Sequence, residues 1–371
     1  MERKMMVGAV VLTLLAAMTA CGSKQDAGSG NGTSAGAAAC VQAAKTATDA
    51  ARAVPQLATP PQLDVKGLAG KELWLIQPAQ VKIQHDIGDG FVAAAKAAGA
   101  TGKVFYSDGT SKSATEGMAQ AVAQHPAGIV VNVHLELVTQ QIADARKAGI
   151  SVITLFQVPP GEKLPDGIQA SVPSDFRSRG ADMANWILAD SGCSAKAAVL
   201  HLPAFPAANR HEDAIHQVFG TCPDCKVTEA PIDLAQLGTS VPSATQAVLR
   251  ANPDVKYLVT LFDSLATLSA PAVASLRPDV KIVSGDGVEA NLKMVREGTE
   301  AVDVVLPPPA WVGYAVVDQL ARVIVGAKPW DVSVPRRLVD KTNIGNAKTV
   351  TDLFPGYENT PAVFGKAWGV S

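Results

Sequence analysis

From Lys71 onward, short continuous apolar runs alternate with stretches of helix length. Leu73-Trp74-Leu75-Ile76, Lys103-Val104-Phe105-Tyr106, Gly128-Ile129-Val130-Val131-Asn132 and Ser151-Val152-Ile153-Thr154-Leu155 read as strands, with helices at 88–99, 113–124 and 137–148 between them. A strand that is apolar along its whole length is buried on both faces, which is the signature of a parallel sheet covered by helices. The rhythm then starts again with Ala197-Ala198-Val199-Leu200-His201-Leu202, Lys226-Val227-Thr228, Tyr257-Leu258-Val259-Thr260-Leu261 and Lys281-Ile282-Val283-Ser284. Helices are expected at 208–219, at 243–251, through Ala274 and up to Gly298. Two successive sets of β-α units predict an α/β protein of two doubly wound parallel-sheet lobes. Ser174-Asp175 and a long helix over 176–190 lie between the sets. A strand at 301–305, a helix at 311–325 and a tail from Pro335 come after the second.

The first 70 residues have a different pattern. A basic head, Met1-Glu2-Arg3-Lys4, precedes an apolar run from Met5 to Ala17 and the small residues of Met18-Thr19-Ala20. The run is too short for a membrane span, which takes roughly 20 apolar residues, and the arrangement is that of an export signal. Met18-Thr19-Ala20-Cys21 resembles the lipobox of bacterial lipoproteins, with Met18 where Leu is usual. The resemblance implies that residues 1–20 are removed and that Cys21 carries a lipid anchor. The chain would then work on the outer face of the cytoplasmic membrane. Residues 22–38 are mostly Gly, Ser, Ala and Asn and read as a flexible tether. Cys40 to Val54 is Ala-rich and helix-prone, and the stretch after it is interrupted by Pro55, Pro60 and Pro61.

Composition narrows the function. The chain has 371 residues, 47% of them hydrophobic, enough for two cores. A net charge of −2 and the lack of a basic patch exclude a nucleic-acid partner. Of five Cys, four remain if Cys21 is acylated, and an even remainder in an exported chain implies disulfides. Cys222-Pro223-Asp224-Cys225 reads as a structural staple, with a link from Cys193 to either of the two as the alternative. A redox CxxC would open a helix, and this one comes after one. The partner of Cys40 stays open. No second CxxC or His pair stands at ligand spacing, so no metal is expected.

Several motifs resemble the ribose-type family of periplasmic sugar-binding proteins, the solute receptors of ABC importers. Ala148-Gly149-Ile150-Ser151-Val152-Ile153-Thr154 is similar to the family's A-x-I-P-V-I-T strand, and Ser174-Asp175 with Gly180 to its first interdomain crossing. Asn252-Pro253-Asp254-Val255 resembles the family's H/N-P-D-V turn, and Ile282-Val283-Ser284-Gly285-Asp286-Gly287 its V-G-x-D-G strand end. Leu292-Lys293-Met294-Val295-Arg296-Glu297-Gly298 resembles its I-R-x-G helix end, and Leu338-Val339-Asp340-Lys341-Thr342-Asn343-Ile344 its closing L-V-T-K-D-N-I segment. The match spans about 71–371 and rests on order and spacing. It implies a type I periplasmic-binding-protein fold with a three-segment hinge, crossed near Ser174, Pro307 and Asp331. Lobe 1 would be 71–173 with 308–331 and lobe 2 would be 174–307 with 332–371. Residues 21–70 would hold the anchor, the tether and an N-terminal helix.

In such a fold, ligands lie at the C-terminal ends of the strands and the lobes close on a hinge. The residues just past each strand are Gln77, Gln80, Gln84, His85, Asn132, His134, Phe156 and Gln157 in the first lobe. In the second they are Phe205, Asn209, Arg210, Phe262, Asp263, Asp286, Pro307 and Trp311. Planar amides, carboxylates and Arg pair hydroxyls, and aromatics stack on ring faces. The resemblance makes Asp286 the ligand-binding Asp, with a capping turn residue as the alternative. It sets Asp263 beside Phe262, where the family has Asn-Asp, with a helix cap as the alternative reading of Asp263. Phe156-Gln157 stands in place of an Asp-Arg pair. The family's cleft Arg falls on Asn209 or Arg210, and its late Gln near Pro307. Groups that pair hydroxyls have become apolar or amide, which counts against a typical free pentose or hexose, and a sandwich of Phe156, Phe205, Phe262 and Trp311 for a flatter or less polar ligand is the alternative reading. Each could equally be core.

The expected function is a lipid-anchored importer receptor for a sugar-like small molecule, with ABC permease subunits as partners and no cofactor. A sensor presenting ligand to a membrane kinase would use the same cleft. No HExxH, GxSxG or P-loop supports an enzyme.

Overall fold

The computed structural model describes residues 31–203 and 205–370. After α1 (Asn31–Ala51), the first lobe alternates β1 (Glu72–Gln77), α2 (Lys82–Ala97), β2 (Thr101–Tyr106), α3 (Ser111–Ala123), β3 (Gly128–Val131), α4 (Thr139–Lys147), β4 (Ser151–Leu155) and β5 (Ala170–Val172). The second runs α5 (Phe176–Ser191), β6 (Lys196–His201), α6 (Pro206–Phe219), β7 (Lys226–Pro231), α7 (Leu237–Ala251), β8 (Tyr257–Val259), α8 (Asp263–Leu276), β9 (Lys281–Ser284), α9 (Glu289–Glu297) and β10 (Glu300–Val305). Helix α10 (Pro309–Ile324), β11 (Arg337–Asp340) and α11 (Thr360–Trp368) complete the chain.

The strands form two sheets, ordered β2-β1-β3-β4-β5 and β11-β10-β9-β8-β6-β7. All pairings are parallel except the antiparallel edge strand β11. In the first sheet, side-chain alternation divides β1 between two layers. Leu73 and Leu75 face the core shared with α2 and α10, and Trp74 and Ile76 face α3 and α4. Order reverses beside β1 in the first sheet and beside β6 in the second, and each reversal opens a crevice at the strand C-termini.

Close backbone contact sets two helix pairs. A Cβ on Gly313 of α10 would lie 2.3 Å from the carbonyl carbon of Gly90 in α2. One on Gly180 of α5 would lie 2.2 Å from the carbonyl oxygen of His211 in α6. Only glycine permits either approach.

The chain crosses between lobes after β5, after β10 and before β11. The first and third crossings run side by side, with Val334 N–H donating to the Pro173 carbonyl at 2.8 Å. The N-terminal segment adds a fourth link. Helix α1 packs on α5, bonded by the Cys40–Cys193 disulfide. Arg52 also pairs with Asp340 at 2.5 Å. The chain then reaches lobe 1, where Leu63 N–H donates to Ala367 at 2.9 Å and Arg322 holds the Pro61 carbonyl.

Some expectations require correction. The tether expected over 22–38 is helical from Asn31, because Ala35 to Ala39 are strong helix formers with one Gly among them. The remainder of that segment, with the signal and Cys21, lies outside the described residues. Cys193 bonds Cys40 rather than the CxxC, whose own Cys222 and Cys225 are joined. The tail expected on lobe 2 divides. Strand β11 joins the second sheet, but α11 packs on α10, where Trp368 stacks on Tyr314 and donates to Asp318 at 2.7 Å.

Candidate functional site

The two crevices face each other across a cleft with different chemistry on its two walls. On lobe 1, Gln77 ends β1 and Asn132 comes directly after β3, on either side of the strand reversal. Asn132 Nδ2 donates to Gln77 Oε1 at 2.8 Å and to Gln84 Oε1 at 3.2 Å, and Gln157 Nε2 donates to Asn132 Oδ1 at 3.2 Å. The four amides orient one another, so Asn132 reaches the cavity wall already fixed.

On lobe 2, β9 ends at Ser284 and Gly285 turns the chain so that Asp286 lines the cavity. A Cβ on Gly285 would meet the Arg179 guanidinium at 2.6 Å. Arg179 projects from the first turn of α5, has no exposed surface, and donates through Nη2 to Asp286 Oδ1 at 3.1 Å and to the Val304 carbonyl at 3.3 Å. Its Nε and Nη1 have no partner.

Behind Asp286 lies a buried acidic cluster. Asp263, Glu300 and Asp303 are all without exposed surface, and their oxygens converge within 4.8 Å. Ser284 Oγ is within hydrogen-bond reach of both Asp263 Oδ1, at 2.7 Å, and Glu300 Oε1. A hydroxyl has one proton to give, so one of these carboxyls donates to it and is neutral. Burial pushes Glu300 and Asp303 well above the usual carboxylate range, and the neighbouring Asp263 charge adds to it. Burial and the Asp286 charge also raise Asp263. Burial raises Asp286, with the Arg179 charge opposing it. The spacing of the three carboxyls is open to a cation, but hydrogen bonds with Ser284, Asn291 and the backbone N–H groups of Asp286 and Val288 already engage every oxygen except Asp303 Oδ2.

An aromatic row joins the walls. Ring centroids run from Phe156 to Phe176 at 5.7 Å, to His211 at 5.1 Å, to Phe262 at 5.3 Å and from there to Phe205 at 5.8 Å. Phe156 and Leu261, next to Phe262, hold φ of 66° and 65°, a strained region for such side chains that is common at functional sites. His211 is fully buried with neither nitrogen partnered; burial and then the Arg179 charge hold it neutral. Arg210 Nη2 closes the cleft by donating to the Gln157 carbonyl at 2.9 Å. The cavity between the lobes is small, about 60 Å³, and parting of the lobes on the hinge would enlarge it for a ligand.

The structure thus brings Gln84, Asn132, Phe156, Phe205, Phe262 and Asp286 to the cavity. Gln77 and Gln157 stand behind Asn132, Asp263 stands beneath the wall, and Arg210 is the cross-cleft contact. Asp263 is the first residue of α8, not its cap, and accepts from the Val288 N–H at the start of α9. The other candidates lie elsewhere. Gln80 is exposed in a turn, and His85 stacks on Tyr106 with centroids 4.1 Å apart. His134 faces Glu136 at 3.7 Å, and Asn209 donates to the Pro203 carbonyl. Trp311 is fully buried and packs on Tyr357, because the helix begun at Pro309 turns it into the lobe 1 core. Arg179, Phe176 and His211 were missed. They sit on helix faces rather than strand ends, although Phe176, Arg179, Gly180 and Met183 do form an inward stripe at helical spacing.

Residues 78–328 match the family model described as a periplasmic binding protein domain. The chain belongs to the periplasmic binding protein family. Membership places it among binding proteins and not among enzymes. No curated protein matches it. Solved structures share the fold at low identity. A 5-methylthioribose transporter solute-binding protein from Thermotoga lettingae superposes with a TM-score of 0.71 at 14% identity, covering 83% of this chain and 100% of that one. An ABC transporter solute-binding protein from Agrobacterium vitis with bound allitol gives 0.67 at 20%, over 75% and 97%. One from Mycobacterium smegmatis with bound glycerol gives 0.67 at 20%, over 76% and 99%. The two lobes are those of the type I periplasmic-binding-protein fold. No described helix is long and apolar enough to cross a membrane.

Proposed function

We propose that this chain is the substrate-binding lipoprotein of an ABC importer. It takes a sugar-like small molecule into the interlobe cleft and presents the closed form to a permease. The observation that carries the reading is the Asp286–Arg179 pair, buried at a strand end and facing the prearranged amide of Asn132 across a cleft that the hinge can open. A carboxylate and a guanidinium in fixed geometry bind hydroxyls with direction, and lobe closure removes the water that would compete. Relatives of the same fold hold allitol and glycerol, ligands of that hydroxylated kind. The anchoring rests on the sequence around Cys21. A lipid-held receptor keeps a high local concentration beside its permease.

A thermal-shift screen of the purified protein over sugars, polyols and sugar derivatives tests the binding. A ligand raises Tm by mass action, and the same ligand fails to do so in Asp286→Ala. Mass spectrometry of the membrane fraction tests the anchor. The expected species begins at a diacylated Cys21, and Cys21→Ser moves the protein out of that fraction. An unmodified, freely released wild-type chain overturns the anchoring.

A further inference from the structure

The cavity has few polar side chains: Arg179, Ser264 and Asp286 from lobe 2 and Gln84 and Asn132 from lobe 1. Arg179 has two nitrogens, Nε and Nη1, that are fully buried and unpartnered at the cavity floor, next to Asp286. A guanidinium has only donors, and a buried donor without an acceptor costs about 1–3 kcal/mol. Oxygen acceptors of a ligand seated against Arg179 would supply the missing partners. The neutral His211 ring beside it has two more unpartnered nitrogens.

The rest of the cavity is apolar. Phe205 and Phe262 flank it, and Val81 from lobe 1 meets Leu234 and Leu237 from lobe 2 among its lining residues. These five side chains are all only partly buried in the closed form. Partly exposed aliphatic groups contributed by both lobes to one cavity gain when a ligand covers them, at roughly 25 cal/mol per Å² of apolar surface. A free polyol has hydroxyls on all sides and would leave those on the Val81, Leu234 and Leu237 side without partners.

Resting on the receptor reading above, we propose that the ligand is amphipathic: a sugar-sized polar group whose oxygens bind Arg179 and Asp286, bearing an apolar substituent that packs against Val81, Leu234 and Leu237. Arg179 orients the polar end, and the two leucines select for the substituent.

Isothermal titration of the purified protein with matched pairs tests this. The probes are D-ribose against 5-methylthioribose, and D-glucose against its phenyl β-glycoside. The substituted member of at least one pair is expected to bind at least tenfold more tightly than its parent. Leu237→Ser is expected to remove that preference. The proposal is overturned, and the receptor reading kept, if the parents bind as tightly as the substituted forms or if the preference survives in Leu237→Ser. It is also overturned if no member of either pair binds. In that event native mass spectrometry of the protein after exposure to a cell extract decides the receptor reading separately: a bound small molecule keeps it and an empty protein rejects it.

Discussion

Arg179 reaches from the first turn of α5 to Asp286, 107 residues further along the chain, and donates to its carboxylate at 3.1 Å with no exposed surface on the arginine. Neither charge is stable there alone. Removing one partner of such a buried pair typically costs about 3–5 kcal/mol, whereas replacing both with apolar groups is often neutral. Arg179→Met is therefore expected to lower the unfolding free energy by about that amount in urea titrations. Arg179→Met with Asp286→Leu is expected to regain most of the stability while ligand binding stays absent. Equal destabilisation of the single and double variants would show that the pair is not the unit.

The acidic cluster behind Asp286 gives a pH dependence of definite sign. Asp263 is raised to about 7 and Asp286 to about 6, and burial also raises Glu300 and Asp303 well above the usual carboxylate range. The unfolded groups titrate near ~4, so between pH ~4 and the folded values the native state holds more protons than the unfolded one. Stability from these groups is fully present below pH ~4 and falls as pH rises through the folded values. Glu300→Gln keeps a neutral donor facing Ser284 and removes one titration. It is expected to flatten the fall of Tm between pH 5 and 8 and to leave Tm at pH 8 equal to or above wild type. A steeper fall in Glu300→Gln would contradict the neutral state assigned to the Ser284 pair.

Helix α5 carries both Phe176 and Arg179 into the cleft because Gly180 lets it touch α6 at His211. Gly180→Ala would set a Cβ 2.2 Å from the His211 carbonyl oxygen. Overpacking of this kind costs roughly 1–3 kcal/mol, and here it also shifts the aromatic row. The variant is expected to fold with a lower Tm and to bind ligand at least tenfold more weakly. Unchanged affinity in a folded Gly180→Ala protein would separate the helix contact from the site.

The Cys40–Cys193 disulfide spans 153 residues and fixes α1 to α5, from which the chain continues to lobe 1. Disulfides typically contribute about 2–4 kcal/mol. The Cys40→Ser, Cys193→Ser double variant is expected to lose about that much, with faster hydrogen exchange over 36–52. If exchange in α1 is unchanged, the helix is held by packing and the Arg52–Asp340 pair alone.

The strand positions were readable because apolar runs such as Leu73–Ile76 and Ile129–Val131 have one physical explanation, burial on both faces of a parallel sheet. Strand β5, three residues long, and β11, an edge strand with Arg337 and Asp340 at its ends, carry no such run and were not recognised as strands. In the site, position after a strand found Gln84, Asn132, Phe156, Phe205, Phe262 and Asp286. The same rule misplaced Trp311, which the helix start at Pro309 carries away from the cleft. Arg179 escaped because an Arg in a helix normally reads as a solvated face. Its burial depends on a carboxylate that only the folded chain brings near. The Cys40 pairing depends likewise on α1 docking against α5, a contact that nothing local in the sequence encodes.

The most direct test of the account is calorimetric titration of wild type and Asp286→Ala with the ligand that gives the largest thermal shift. The expected result is a one-to-one complex with wild type and an affinity loss of at least a hundredfold in Asp286→Ala, with Asp286→Ala still showing a cooperative melt. Equal affinity in the two proteins would place the binding site outside this cleft and contradict the account.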